Sequence, residues 1–150
     1  MTREYTSLCA DLEALIKGFP HKTANLSNAA ALIFERLGGV SWAGFYLIEG
    51  DTLVLGPFQG RPACIEIKPG RGVCGTAFSR RETVAVPDVR EFRGHIACDE
   101  RSRSEIVVPL IKDGVPVGVL DLDSTETGRF TSEDKEGLEA AAKIITENAF

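Results

Sequence analysis

Residues 105–123 read EIVVPLIKDGVPVGVLDLD, and this run decides the fold. Glu105 to Ile111 and Val115 to Asp123 are apolar and β-branched, and Lys112-Asp113-Gly114 between them carries the Asp-Gly pair that a tight antiparallel turn favours. A hairpin is expected. Side chains alternate across a strand, so Leu120 and Leu122 should face a core while Asp121 and Asp123 share the opposite face. Glu105 on the partner strand could meet them there. Taken alone, the two aspartates would also suit a solvent-facing strand edge.

Downstream, Thr131 with Asp134 resembles a capping box and introduces a helix whose face is Leu138, Ala141, Ala142 and Ile145. Upstream, Asp88 to Arg103 has no helical or strand period and reads as one long loop, a length that marks a functional or mobile segment. Before it come a brief strand from Thr83 to Val86, a short helix from Val73 to Arg81, and strands over Ala63 to Ile67, Leu53 to Phe58 and Val40 to Ile48. In the last of these, Trp42, Gly44 and Tyr46 fall on one face and Ala43, Phe45 and Leu47 on the other, with Gly44 expected to leave a groove between two rings. Two helices open the chain. Leu8, Leu12, Leu15 and Ile16 form the stripe of the first, from Glu4 to Phe19. Leu26, Ala29, Ala30, Ile33, Phe34 and Leu37 form that of the second, with Asn25 or Ser27 as its cap. The order predicts an α+β fold: a single domain over residues 1–150, an antiparallel sheet of about six strands, and helices packed on one face.

The totals limit the function. The chain has 150 residues, enough for one core, and 43% hydrophobic with 26% charged residues is ordinary for a globular protein. No apolar run approaches the roughly 18 residues of a membrane helix, and the polar start Met1-Thr2-Arg3-Glu4-Tyr5 does not resemble a signal peptide. A cytoplasmic location without membrane contact is the expectation. A net charge of -5 argues against nucleic acid as a partner, which calls for a basic face. Four cysteines are too few and too irregular for a secreted disulfide framework, and no pair has zinc-knuckle spacing, so no metal is expected.

Cys9 lies in the first helical stripe and reads as small apolar filler. Cys64, Cys74 and Cys98 sit among turn and loop residues, and three such thiols point to redox chemistry, which needs an attacker and a resolver. Around Cys98, the residues His95, Arg101 and Arg103 could stabilise a thiolate, while Asp99 and Glu100 oppose them. Glu105, Asp121 and Asp123, if crowded in one pocket, would raise at least one pKa and create a proton donor near neutrality. Trp42 and Tyr46 could wall a small pocket or simply fill the core. The run from Gly70 to Thr76 lacks the spacing and lysine of a phosphate loop.

The runs WAGFY (42–46), LGPFQGRPAC (55–64), GRGVCGT (70–76), GHIACD (94–99), SRSEIVVPL (102–110) and GVLDLDS (118–124) together resemble the free methionine-(R)-sulfoxide reductases of the GAF-domain family. The resemblance covers nearly the whole chain. It implies that Cys98 attacks the sulfoxide sulfur, that Cys64 resolves the sulfenic acid as an intramolecular disulfide, and that Cys74 is an alternative resolver or a pocket residue. It implies that Glu105, Asp121 and Asp123 bind and protonate the sulfoxide oxygen, and that Trp42 and Tyr46 seat the S-methyl group. It further implies no bound cofactor, thioredoxin as external reductant and a homodimer; the length of the Asp88 to Arg103 loop separately suggests that it moves during turnover. Two other readings stay open: a non-catalytic GAF sensor of a small ligand, and a thiol redox sensor.

Overall fold

The hairpin at residues 105–123 forms, and it lies at the heart of a sheet. In the computed structural model, which describes Met1–Phe150, strands β5 (Ser104–Lys112) and β6 (Val115–Ser124) pair antiparallel. The turn between them has positive φ at both Asp113, 51°, and Gly114, 78°, the backbone that a right-twisted two-residue hairpin requires. Strand β1 (Trp42–Glu49) pairs with the other edge of β6, followed by β2 (Thr52–Gln59) and the short β3 (Glu66–Ile67), while β4 (Val84–Val86) completes the far side against β5. The six-stranded order is β3-β2-β1-β6-β5-β4, with every pair of neighbours antiparallel.

The period-two pattern splits the sheet into two faces. Ala43, Phe45, Ile106, Val108, Leu110, Leu120 and Leu122 pack against α1 (Arg3–Ile16), α2 (Lys22–Arg36) and α4 (Ser132–Ala149). Leu8, Leu12, Ile16, Leu26, Ile33, Leu138 and Ile145 of those helices are completely buried, and each such side chain contributes about 1.5–3 kcal/mol of hydrophobic stabilisation. The other face carries Trp42, Tyr46, Val107 and Val119, covered by α3 (Gly72–Arg80) through Val73, Cys74 and Ala77. Helices on one face therefore describes three of the four. A nine-residue helix offers too few turns for its stripe to declare which face it will cover.

Two local expectations change. Helix α2 begins at Lys22 with His21 at its cap position and no side-chain cap bond; Asn25 sits in the first turn and its Nδ2 donates to Phe19 O at 2.7 Å. The third strand shrinks to Glu66–Ile67, because residues 60–65 run as an irregular segment that bonds β2 only through Leu55 N to Ile65 O, 2.9 Å. The capping box on α4 is present, with Asp134 Oδ2 accepting from Thr131 N at 2.8 Å. The long loop contains a 3₁₀ turn at Val89–Glu91 and is tied at its ends by Val89 N to Arg103 O, 2.7 Å, and Arg103 N to Ser124 O, 2.8 Å.

At Gly137 of α4 an added Cβ would overlap the Tyr5 ring of α1. The Tyr5 hydroxyl is anchored to Asp134 Oδ1 at 2.7 Å, so the ring has little freedom to yield. Gly137→Ala should therefore destabilise by about 1–3 kcal/mol despite the better helix propensity of alanine, read as a lower urea midpoint at unchanged slope; a higher midpoint would refute the close approach.

Candidate active site

A cavity of about 40 Å³ opens between α3, the second face of the sheet and the loops at 60–65 and 95–103. Of the eight residues expected at a site, seven line it: Trp42, Tyr46, Cys74, Cys98, Glu105, Asp121 and Asp123. Cys64 is the exception. It reaches the cavity through Cys98, to which it is joined in a disulfide spanning 34 residues with Cα atoms 5.4 Å apart.

The acids meet by register. Glu105 stands opposite Asp123 and Val107 opposite Asp121 across β5–β6, so all three carboxyls occupy the same face. Glu105 and Asp121 are 7% and 5% exposed, which excludes the solvent-facing edge. Polar atoms of Cys74, Glu105 and Asp121 lie within 4.8 Å of one another, and Cys74 Sγ is 3.9 Å from Glu105 Oε2. Burial pushes the Glu105 carboxyl well above its ordinary pKa, and the charges of Asp121 and Asp123 push it further. Asp123 also rises, by burial first and then by the charge of Asp121, with a hydrogen bond from Glu105 opposing. Asp121 rises by burial too, but hydrogen bonds from Glu105 and Cys74 pull it back. Asp121 is accordingly the carboxylate of the group. Its Oδ1 is buried without a partner, and a protonated Glu105 supplies the donor that the pocket calls for.

The thiols differ sharply. Cys74 is buried at 4% exposure inside α3, and burial followed by the charges of Asp121, Glu105 and Asp123 lifts its pKa well above the ordinary thiol value. It is a neutral thiol at neutral pH, suited to a pocket wall and a poor resolver. The cations expected beside Cys98 are engaged elsewhere. Arg101 grips Asp99 through two contacts, 3.1 and 3.3 Å, and Arg103 donates to the carbonyls of Glu100 and Ser102 at 2.8 and 3.1 Å. Burial lowers the His95 pKa, which favours the neutral ring.

The aromatic pair does more than wall the cavity. Trp42 Nε1 donates to Arg61 O at 3.0 Å and the Tyr46 hydroxyl donates to Cys64 O at 2.8 Å, so both rings hold the segment that carries Cys64. Sequence spacing gave no sign of this, since the acceptors are backbone carbonyls of an irregular segment. Gly44 leaves no groove: a Cβ there would lie 2.8 Å from Phe58 Cα and 2.8 Å from the Trp42 ring, which stacks on Phe58 with centroids 5.2 Å apart.

Residues 23–147 match the GAF domain family. The chain is 55% identical over 137 residues to the free methionine-R-sulfoxide reductase of Escherichia coli, covering 91% of this chain and 83% of that protein. It is 47% identical over 149 residues to the free methionine-R-sulfoxide reductase of Saccharomyces cerevisiae, covering 94% and 83%. The structure superposes on that of fRMsr from Staphylococcus aureus in complex with substrate with a TM-score of 0.93, at 51% identity and covering 97% of this chain and 95% of that one.

The raised carboxyls set a pH dependence of stability. Glu105 and Asp123 bind protons in the folded state that the unfolded chain has released, so their contribution is complete below the unfolded carboxyl pKa of ~4 and is lost as pH rises through the folded values. Unfolding free energy should fall as pH rises above about 5, by up to ~1.4 kcal/mol per pH unit for each such carboxyl. Urea titrations across pH 5–8 should show this decline, with a shallower one in Glu105→Gln; parallel slopes would contradict it.

Proposed function

We infer that this chain, which belongs to the GAF-domain family and within it to the free methionine-(R)-sulfoxide reductases, reduces free methionine-(R)-sulfoxide to methionine by cysteine thiol chemistry. The observation that carries the reading is the Cys64–Cys98 disulfide, one cysteine of which lines a cavity walled by three carboxyls. A sulfoxide is a poor electrophile until its oxygen is protonated, so a thiol beside a carboxylic acid is the pairing the reaction needs.

In the proposed mechanism Cys98 is the nucleophile and attacks the sulfoxide sulfur while Glu105 delivers a proton to the oxygen. The oxygen passes to Cys98 as a sulfenic acid, and methionine leaves. The Cys64 thiol then attacks the Cys98 sulfur, releasing water and forming the disulfide; two electrons have passed from two thiols to one sulfoxide. Asp121 and Asp123 hold Glu105 in its protonated form and bind the substrate's polar groups. Trp42 and Tyr46 seat the S-methyl group, which fixes the face of the pyramidal sulfur turned to Cys98 and so selects the R epimer. Cys74 is a pocket residue. The enzyme binds no cofactor, and a thioredoxin-type dithiol returns the disulfide to thiols. The family resemblance further implies a homodimer, and a cytoplasmic location is part of the same proposal.

Reduced protein given free L-methionine-(R)-sulfoxide without reductant should release about one methionine per chain and lose the Cys64 and Cys98 thiols, as expected for one passage through a two-thiol cycle. Cys64→Ser should still release one methionine but stop there, whereas Cys98→Ser should release none; intact thiols with bound sulfoxide would return the reading to a ligand sensor. Glu105→Gln should lower kcat/KM for the sulfoxide by about 10²–10⁴ while leaving oxidation of Cys98 by peroxide largely intact. An equal loss of both would mean that Glu105 serves the thiol rather than the sulfoxide.

A further inference from the structure

The two sulfurs of the disulfide are not equivalent toward an outside thiol. Both cysteines are half-buried, but Cys98 lines the acid-walled cavity and Cys64 does not. Directly after Cys64, Ile65 is 69% exposed, and Ile96, two residues before Cys98, is 40% exposed. A lone exposed isoleucine is ordinary; these two lie within roughly 4 and 8 Å of a bridged Cα, by the ~3.8 Å spacing of the chain. The remaining exposed large apolar residues, Met1, Leu15, Phe19 and Val115, lie in or beside α1 or at the hairpin turn. Ile65 is not on a frayed end. Its carbonyl accepts from Leu55 N at 2.9 Å, and the neighbouring Cys64 carbonyl is held by Tyr46 at 2.8 Å.

We propose that Ile65 and the exposed chain around it form the docking surface for a thioredoxin-type protein dithiol, and that its thiolate attacks Sγ of Cys64 rather than Sγ of Cys98. The proposal rests on the reading that such a dithiol recycles the enzyme. An incoming thiolate is an anion. Cys98 shares its cavity with the acid cluster, whose Asp121 carboxylate repels an anion, whereas the segment leading to Cys64 carries the exposed Arg61. Attack forms a bond between the reductant sulfur and Cys64 Sγ and breaks the bond between Cys64 and Cys98. Cys98 leaves as a thiolate already facing the cavity. The reductant's second thiol gives its proton to solvent and attacks the first reductant sulfur, which completes its own disulfide and releases the Cys64 thiolate to take up a proton. Two electrons pass from dithiol to enzyme, and the nucleophile is restored before the resolver. An apolar side chain beside the attacked sulfur gives the reductant a surface that water does not contest.

Oxidised full-length chain should be mixed with thioredoxin whose second active-site cysteine is serine, quenched in acid and digested for mass spectrometry. The adduct is expected on the peptide containing Cys64, with Cys98 as a free thiol; an adduct on Cys98 overturns the assignment of the attacked sulfur. Ile65→Glu should raise the KM for wild-type thioredoxin about tenfold, leave dithiothreitol-driven turnover and the KM for methionine sulfoxide unchanged, and be reversed by Ile65→Val. An unchanged KM for thioredoxin, or an equal loss with dithiothreitol, removes the docking surface alone. Wild-type enzyme that turns over with dithiothreitol but not with thioredoxin removes the reductant reading itself.

Discussion

Strand register forces Glu105, Asp121 and Asp123 onto one face of the β5–β6 hairpin, two of them almost sealed from water. Ionising all three would place like charges together where solvent cannot screen them, and a buried carboxylate without a partner is costlier still. Protonation is the cheaper solution, and it produces the acid that sulfoxide chemistry needs. The cost of holding such a cluster falls on the fold, and the same two strands meet it. Leu120 and Leu122 alternate with the aspartates, and Ile106 follows Glu105, all three with no exposed surface at all in the opposite core. A slip of one residue would exchange Leu120 and Leu122 for Asp121 and Asp123. The hydrophobic core thus fixes the register, and the register fixes the acids.

The second constraint is the grip of β1 on the segment before β3. Trp42 and Tyr46 spend their polar ends on the carbonyls of Arg61 and Cys64, so the rings that line the cavity also set where Cys64 stands. Gly60, with φ of 125°, passes so close to Trp42 that a Cβ would lie 2.6 Å from its ring, which lets the segment turn across the indole. A cavity wall and the position of a bridged cysteine therefore share two side chains. Changes at Trp42 or Tyr46 should not be read as losses of substrate contact alone.

Much of this was legible in the sequence because local signals agreed with the tertiary outcome. The Asp113-Gly114 turn, the Thr131/Asp134 capping box and the alternation in β1 and β6 each have a mechanism that acts within a few residues. The acid cluster followed from alternation plus the hairpin. What stayed hidden depended on contacts between distant segments. Nothing near Val73 or Ala77 states that α3 covers the face opposite the other helices, and Cys74, placed among turn glycines, gives no sign of being almost wholly buried. Gly44 reads as an opening in the sequence, yet Phe58 from β2 fills the space above it. Arg101 and Arg103 read as cations beside a thiol, and only the loop's own hydrogen bonds reveal that Asp99 and two carbonyls already hold them.

That last point bears on where the catalytic power of the site resides. A thiol reaction can be accelerated by lowering the nucleophile's pKa or by activating the electrophile. In the disulfide form the neighbours of Cys98 offer little for the first route: His95 is driven toward neutrality by burial, and the nearby arginines are satisfied. The second route is strongly built. Glu105 is held protonated by burial and by two adjacent acids, and Cys74 adds a neutral thiol where a cationic residue would have drawn the proton away. An unperturbed thiol, with pKa ~8.5, still supplies a few per cent thiolate at neutral pH, whereas an unprotonated sulfoxide offers almost no leaving oxygen. Placement of a strongly raised pKa on the acid therefore matches the harder half of the reaction. It also explains why the site can sit in a net-acidic pocket that would be a poor home for a redox cysteine working alone.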